Sequence, residues 1–264
     1  MSGAPHFETL PPSLCGEEAL ALYPRRGAAP REVMLFGEGL QTIDAWGAVT
    51  LRQKIEYHAR YQQRRVTLSP PTNDSSWQML FWLLETSHPR HLVLPDQAAD
   101  LPAARPRNIL LSAQPIASSD IAFERAADIR ARAGGELGPA IRFAVAQLPE
   151  LVLNAATYAA DAPTGPVACM LHDRTEDEIQ LVVGDLGDTI ARHADAASVL
   201  EEVVLGRDEG NLLDIAGLAE SRQLDISITL ASGTGRLYWR AGQWTTVGEQ
   251  IDVPGFVAAI TVHV

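Results

Sequence analysis

Residues 147–159 read QLPELVLNAATYA and place two polar side chains inside an apolar stretch with helical spacing. Glu150 and Asn154 are four residues apart, so on a helix they share one face, one turn apart. The neighbouring residues 151–153 and 155–156 are apolar and predict a buried surface. A carboxylate and a carboxamide in such a surface cost free energy unless something pairs with them.

Two interpretations of this pair stay open. The amide oxygen of Asn154 can ligate a hard cation such as Mg²⁺, and the carboxylate of Glu150 can orient a water molecule. Alternatively, both side chains are solvated at the edge of the helix, which is the simpler interpretation when the helix is considered alone. Pro149 lies in the same stretch and is expected to kink the helix or to leave a gap in its hydrogen bonding.

The composition indicates a globular protein and disfavours two kinds of partner. The 264 residues are 46% hydrophobic and 20% charged, with a formal net charge of −12. Without a dense basic patch, neither a nucleic acid nor an anionic membrane surface is expected as a partner. Cys15 and Cys169 have no metal-ligand spacing and no disulfide framework, which favours a reducing compartment. With no signal peptide and no apolar run long enough to span a bilayer, the expected location is cytoplasmic.

The N-terminal third of the sequence predicts a small α/β layer domain at 32–100, after a flexible leader at 1–31 that is rich in Pro, Ala and Gly. Apolar runs and helical spacing predict alternating strands and helices, at 32–36, 48–60, 65–68, 73–84 and 91–94. The order strand–helix–strand–helix–strand is typical of an α/β layer.

This segment resembles the STAS domain, the fold of anti-sigma factor antagonists. In that family a strand ends in an Ile-Asp-Ser-Ser-Gly-like turn that caps a helix, and the matching residues here are Ile43, Asp44, Ala45, Trp46 and Gly47. An alanine and a tryptophan replace the two serines. Because a phosphoryl group needs a hydroxyl acceptor, the resemblance implies a docking or structural module without the phosphorylation switch of that family.

The remainder of the chain predicts an α/β sandwich at 109–264. It follows a linker at 101–108, in which prolines would interrupt any helix. The predicted order is a strand, two helices and an antiparallel meander with helices between its strands. The helices are expected at 118–133, 138–158, 196–205 and 212–223. Trp239 and Trp244 flank a tight turn and are expected to form a cross-strand pair.

Several short motifs follow the Glu150–Asn154 pair along the chain, namely Asp185-x-Gly187, Gly210-Asn211 and a Ser-Gly-Thr-Gly turn at 232–235. Taken in this order, they resemble the motifs of the Bergerat-fold ATPases, the GHKL or HATPase group. Within that group the chain is most similar to the anti-sigma factor serine kinases. The resemblance covers residues 109–264.

The resemblance implies roles for the matching residues. In the family a helical Glu-x-x-x-Asn-Ala motif supplies a general base and a Mg²⁺ ligand, which implies Glu150 as the catalytic base and Asn154 as the metal ligand. The Asp of an Asp-x-Gly-x-Gly turn accepts the amino group of adenine, which implies Asp185 and Gly187 as ATP-binding residues. Gly210 and Asn211 would open a helix whose backbone amides hold phosphate.

Two glycines expected from the family are replaced. Thr189 stands at the second glycine of the adenine turn, where a β-branched side chain narrows the approach of the backbone to the base. Leu212 stands at the second glycine of the phosphate turn, where it adds bulk and disfavours positive φ. Thr189 and the late Thr261 are nevertheless expected near the nucleotide.

The sequence therefore predicts a cytosolic regulatory protein with a Mg·ATP-binding domain, acting as a serine/threonine kinase or ATPase that controls a protein partner. A homodimer is compatible with this function. The competing interpretation is a degenerate, non-catalytic interaction module or scaffold that has lost ATP turnover, which Thr189 and Leu212 favour. A nucleotide-gated scaffold that binds ATP without hydrolysing it lies between the two.

Overall fold

The protein is a mixed α/β structure with a small parallel sheet, a large antiparallel sheet and helices on both faces of the large sheet. The computed structural model describes residues 5–22, 32–84, 92–93, 106, 108–133, 138–158, 164–173, 176–187, 211–247 and 253–264. Within these ranges, no helix combines the length and the apolar character that crossing a membrane requires.

Strands and helices alternate in the N-terminal part, and strands dominate the C-terminal part. The strands are β1 His6–Thr9, β2 Ser13–Leu14, β3 Glu32–Phe36, β4 Thr42–Ile43, β5 Arg65–Ser69, β6 Leu92–Val93, β7 Ile109–Pro115, β8 Val167–Asp173, β9 Glu178–Asp185, β10 Ile226–Gly233, β11 Gly235–Arg240, β12 Gln243–Val247 and β13 Val253–His263. The α-helices are α1 Ala45–Glu56, α2 Asp74–Leu84, α3 Ser119–Ala133, α4 Pro139–Tyr158 and α5 Asn211–Ser221.

The N-terminal part forms a four-stranded parallel sheet in the order β1-β3-β5-β6. Val33 and Leu35 of β3 lie opposite Val66 and Leu68 of β5, and all four side chains are buried. Since alternate residues of a strand share a face, this apolar set lies on one side of the sheet, in a common core with α1 and α2. The strand and helix order predicted for this segment is therefore found.

Residues 5–22 differ from the flexible leader expected for 1–31. β1 joins the parallel sheet beside β3, β2 pairs with β4, and Gly16–Leu22 forms a 3₁₀ helix. Leu10 and Leu14 are each no more than 1% exposed. The proline and glycine content of the segment indicated a loose chain. The free energy gained by burying its leucine side chains holds residues 5–22 against the core instead.

Helix α1 begins where Asp44 caps its first turn. The Asp44 carboxylate accepts hydrogen bonds from the backbone N–H of Gly47 at 3.0 Å and of Gly16 at 2.7 Å. Burial raises the pKa of Asp44, although these backbone donors lower it. Ala45 and Trp46, the first two residues of α1, are both buried. The turn expected at this point is thus the N-terminus of a core helix.

Every residue of α1 is buried, including its charged side chains. A helix that is buried on all sides lies between two layers instead of at the surface. The charges are paired, as burial requires: Arg52 contacts Glu56 at 2.6 Å, and Lys54 contacts Glu8 at 2.6 Å. The periodicity of the sequence indicated this helix but not its complete burial.

The C-terminal part forms a seven-stranded antiparallel sheet in the order β12-β11-β10-β13-β9-β8-β7. Trp239 and Trp244 lie directly opposite each other on β11 and β12 with ring centroids 6.5 Å apart, so the predicted cross-strand pair is confirmed. The helix predicted at 196–205 lies outside the described residues, and of the predicted linker only 106 and 108 are described.

Two hydrophobic cores lie on either side of the large sheet. One core joins the small sheet, α1, α2 and one face of the large sheet, for example through Val33 and Val182. The other core lies between the opposite face and α3, α4 and α5. The layers therefore follow the order small sheet, α1 with α2, large sheet, and α3 with α4 and α5. The first core extends across the predicted boundary between 32–100 and 109–264.

Candidate functional site

Glu150 and Asn154 lie along the edge of α4. Both residues are half-buried, whereas Val152 between them is fully buried in the core that α4 shares with the large sheet. Leu153 is 43% exposed, in contrast to the burial expected for it. Successive helical residues are rotated by about 100°, so Leu153 faces away from the sheet when Val152 faces toward it. The polar pair thus lies where the buried face of α4 meets solvent.

The carboxyl group of Asp185 lies at the end of β9, on the same side of the sheet as α4. Ile179, Leu181 and Val183 of β9 belong to the core beneath α4, and Asp185 continues their alternation. Asp185 is 1% exposed, and its Oδ1 accepts a hydrogen bond of 2.7 Å from the backbone N–H of Gly187. The Asp-x-Gly turn is therefore a local structure in which the glycine amide holds the carboxyl group in place.

Burial raises the pKa of Asp185 to about 7, although the backbone N–H groups of Gly187 and Phe256 lower it. A carboxyl group in apolar surroundings prefers its neutral form, while each donor favours the charged form. Near pH 7 the group is therefore present in both protonation states. A strongly perturbed pKa makes Asp185 a candidate for a functional site, because such sites match the ionisation of a group to its task.

Two residues of β13 complete the surroundings of Asp185 and were not predicted from the sequence. Phe256 lies directly opposite Asp185 in the ladder between β13 and β9. A Cβ on Gly255 would overlap with the carbonyl oxygen of Asp185, so a glycine there allows the close approach of the two strands. Ser232 of β10 donates from Oγ to the carbonyl oxygen of Gly255 at 2.5 Å. The Pro-Gly pair that precedes Phe256 was the signal available in the sequence.

Thr261 is placed away from Asp185. It lies five positions along β13 from Phe256, which is about 17 Å in an antiparallel strand. Its neighbour on β9 is Gln180, whose Oε1 accepts a hydrogen bond of 3.3 Å from the backbone N–H of Ala45 in α1. The structure therefore separates Thr261 from Asp185 in distance. It also separates them by sheet face, because Thr261 alternates with buried residues that face α4.

The other predicted nucleotide residues are only partly described. Asn211 is the first residue of α5, which packs in the same core as α4. Thr189 and Gly210 lie outside the described residues. The structure thus brings Glu150, Asn154, Asp185 and the start of α5 to one side of the large sheet.

The side chains on this side suit part of the chemistry of Mg·ATP. The Asp185 carboxylate can accept an exocyclic N–H of adenine. Asn154 is half-buried, and its amide oxygen suits Mg²⁺, which keeps several waters and takes few protein ligands beside substrate phosphates. Among the described residues, no group of three or more His, Cys, Asp and Glu side chains is arranged to hold a metal ion.

A cavity of about 620 Å³ opens between the N-terminal helices and the large sheet. Asp44 and Asn73, which precede α1 and α2, line it together with Asp173. Asn73 accepts hydrogen bonds from the backbone N–H groups of Ser75 and Ser76 at 2.9 and 3.2 Å, and Asp44 caps α1 in the same way. The side chains of Asp44 and Asn73 are thus engaged in capping, whereas the motifs from Glu150 onward gather on the Asp185 side of the sheet.

No protein-family model matches the chain, and neither a curated protein nor a solved structure matches it.

Proposed function

We propose that the C-terminal part binds Mg·ATP on the α4 side of the large sheet. In this proposal the protein is a regulatory ATPase or serine/threonine kinase of the Bergerat type that controls a protein partner. The observation that carries the proposal is the buried Asp185 carboxyl group, which lies on the same face of the sheet as Glu150 and Asn154. The order of motifs from Glu150 to the turn at 232–235 supports the same assignment.

Each residue on this face has a role that its surroundings support. Asp185 would accept the amino group of adenine while Gly187 orients the carboxylate through its backbone N–H. Asn154 would hold Mg²⁺, and Glu150 would accept a proton from a protein hydroxyl or from water at the solvent edge of α4. Phosphoryl transfer depends chiefly on positioning and charge compensation, and bound Mg²⁺ supplies much of the latter.

The proposal includes a docking role for the N-terminal part, as a STAS-like module in a cytosolic regulator. Its parallel sheet with α1 and α2 supports this role, and so does the helix-capping turn at Asp44. Ala45 and Trp46 carry no hydroxyl group and are buried, so this turn would have no phosphoacceptor. Its contribution would be structural contact with the large sheet instead of a phosphorylation switch.

A second candidate is a non-catalytic interaction module that keeps the fold but has lost ATP turnover. One structural observation favours it: Asp185 is 1% exposed and lies directly opposite the partly buried Phe256, so a base would reach the carboxyl group only if this packing opened. Thr189 and Leu212, at positions where the family has glycine, favour it as well.

Calorimetric titration of Mg·ATP into the wild type, Asp185→Ala and Asn154→Ala tests the proposal. We expect binding by the wild type, loss of binding in Asp185→Ala and loss of the Mg²⁺ dependence in Asn154→Ala. Glu124→Ala, which removes an exposed carboxylate from α3, is the matched control and should bind like the wild type. No binding by the wild type would overturn the proposal. Phosphate release that survives Glu150→Ala would remove Glu150 as the catalytic base.

A further inference from the structure

Gln53 is a buried polar side chain of α1 that reaches into the large sheet. Its side chain is inaccessible, and its Nε2 donates a hydrogen bond of 2.6 Å to the carbonyl oxygen of Gly184. Its Oε1 accepts a hydrogen bond of 2.8 Å from Oγ1 of Thr164. A longer contact of 3.4 Å joins Nε2 to the carbonyl oxygen of Gly165. Both the nitrogen and the oxygen of the carboxamide are therefore hydrogen-bonded to groups of the C-terminal part.

Gln53 contacts the strand that carries Asp185 and the connection that follows α4. Gly184 directly precedes Asp185, and the peptide unit that contains the Gly184 carbonyl group also contains the Asp185 N–H. Because a peptide unit is planar, fixing this carbonyl oxygen fixes the orientation of the backbone that enters Asp185. Thr164 lies between α4, which carries Asn154, and β8. One side chain thus joins the Asp185 strand to the connection that follows the Asn154 helix.

The position of this contact along β9 distinguishes it from other contacts between the same layers. Ala45 of α1 also reaches β9, through its hydrogen bond to the side chain of Gln180. Gln180 lies five residues before Asp185, about 17 Å along the strand. A buried amide must be hydrogen-bonded to be tolerated, and apolar side chains would suffice to pack α1 against the sheet. The polar contact of Gln53 is therefore specific to the end of β9 where Asp185 lies.

We infer that Gln53 is a positioning residue of the nucleotide site, through which α1 holds the Asp185 turn and the connection between α4 and β8 in a fixed relation. The inference rests on the proposed function for its ligand, whereas its hydrogen bonds exist without any ligand. It makes the nucleotide affinity of the C-terminal part depend on the position of α1. A displacement of α1 would therefore also move the backbone that enters Asp185 and change the nucleotide affinity.

The test compares Gln53→Leu with Gln180→Leu in the full chain. Gln53→Leu removes the donor and the acceptor at similar volume, whereas Gln180→Leu removes a contact between the same layers at the far end of β9. Two measurements are made, amide hydrogen exchange of peptides that contain residues 184–187 and calorimetric affinity for Mg·ATP. We expect faster exchange at 184–187 and affinity weakened on the order of tenfold in Gln53→Leu. Gln180→Leu should leave both measurements unchanged.

Equal exchange at 184–187 in the two variants would overturn the inference. So would an unchanged nucleotide affinity in Gln53→Leu when the wild type binds. If the wild type binds no nucleotide, the proposed function fails, and the exchange comparison alone decides whether Gln53 positions the turn. Thr164→Val removes only the hydroxyl donor to Gln53 and should change both measurements in the same direction by less. Where Gln53→Leu does not fold, an unchanged Thr164→Val overturns the inference.

Discussion

Gly255 and Asp185 approach each other so closely that a Cβ on Gly255 would overlap with the carbonyl oxygen of Asp185 and would lie 2.9 Å from the Cα of Leu186. Both obstacles are backbone atoms, which cannot move aside like the end of a flexible side chain. The contact lies next to the pair that Phe256 and Asp185 form across β13 and β9. Any side chain at position 255 would therefore push β13 away from the backbone of Asp185 and Leu186.

Gly255→Ala is expected to lower the free energy of unfolding by about 1–3 kcal/mol, because the two strands must separate to admit the methyl group. The midpoint of urea denaturation measures this change. Gly217→Ala is the matched control, since a Cβ at Gly217 in α5 meets nothing within 4 Å. Alanine there should raise stability by about 0.5–1 kcal/mol through helix propensity. Similar midpoints for the two variants would show that the close approach is absent in solution.

Asp185→Asn is expected to stabilise the protein, and to do so more strongly as the pH rises. The pKa of Asp185 is about 7 in the folded protein and 3.8 for an ordinary aspartate, as in the unfolded chain. Between pH 3.8 and pH 7 the folded protein therefore keeps a proton that the unfolded chain has lost. The stability associated with this proton is fully present below about pH 3.8 and is lost as the pH rises through 7. The loss reaches on the order of 4 kcal/mol above pH 7.

Asparagine carries no charge and keeps an oxygen that can accept the Gly187 N–H, so Asp185→Asn avoids that loss. Urea denaturation at about pH 5 and about pH 8 should show the stability difference between variant and wild type widening by on the order of 2–3 kcal/mol. A difference that is constant over this range would mean that Asp185 titrates near its ordinary value.

Glu56→Gln is expected to destabilise the protein by about 3–5 kcal/mol, because it removes the carboxylate charge that lies 2.6 Å from the buried guanidinium of Arg52. Glu32→Gln is the matched control. Its carboxylate lies 3.8 Å from Arg65, and the two side chains are 37% and 63% exposed, so the effect should stay within about 1 kcal/mol. Thermal and urea denaturation of both variants measures the contrast. Equal effects would place the Arg52 pair at the surface and not between the two sheets.

Adenosine affinity is expected to increase with pH through 7 if the proposed function holds, since the ionised carboxylate accepts the adenine N–H more strongly than the neutral acid does. For a pKa of about 7 the ionised fraction of Asp185 rises about tenfold between pH 6 and pH 8, and the apparent affinity should follow it. Adenosine is preferred to ATP because it carries no phosphate that titrates in this range. Asp185→Asn should give weak binding without pH dependence, and a flat wild-type profile would argue against the adenine contact.

Local signals in the sequence predicted much of the secondary structure. Helices expected at 118–133 and 138–158 correspond to α3 and α4, because apolar periodicity and a capping serine act within a few residues. The Asp-x-Gly turn at Asp185 was predictable for the same reason, since its hydrogen bond joins residues two apart. The N-terminal strand β1 was missed, because its stability comes from pairing with β3 and not from its own composition.

The sequence by itself determined most of the helices and strands from residue 32 onward, the polar pair on α4 and the turn at Asp185, all of which depend on neighbours in the chain. Only the tertiary structure decided that α1 is buried between two sheets, that Thr261 lies far from Asp185, and that Gln53 meets Gly184 across a separation of 131 residues. Strand order, register and the choice of sheet face arise from contacts between distant segments. Periodicity shows that a residue is buried, and the packed layers determine which residue it meets.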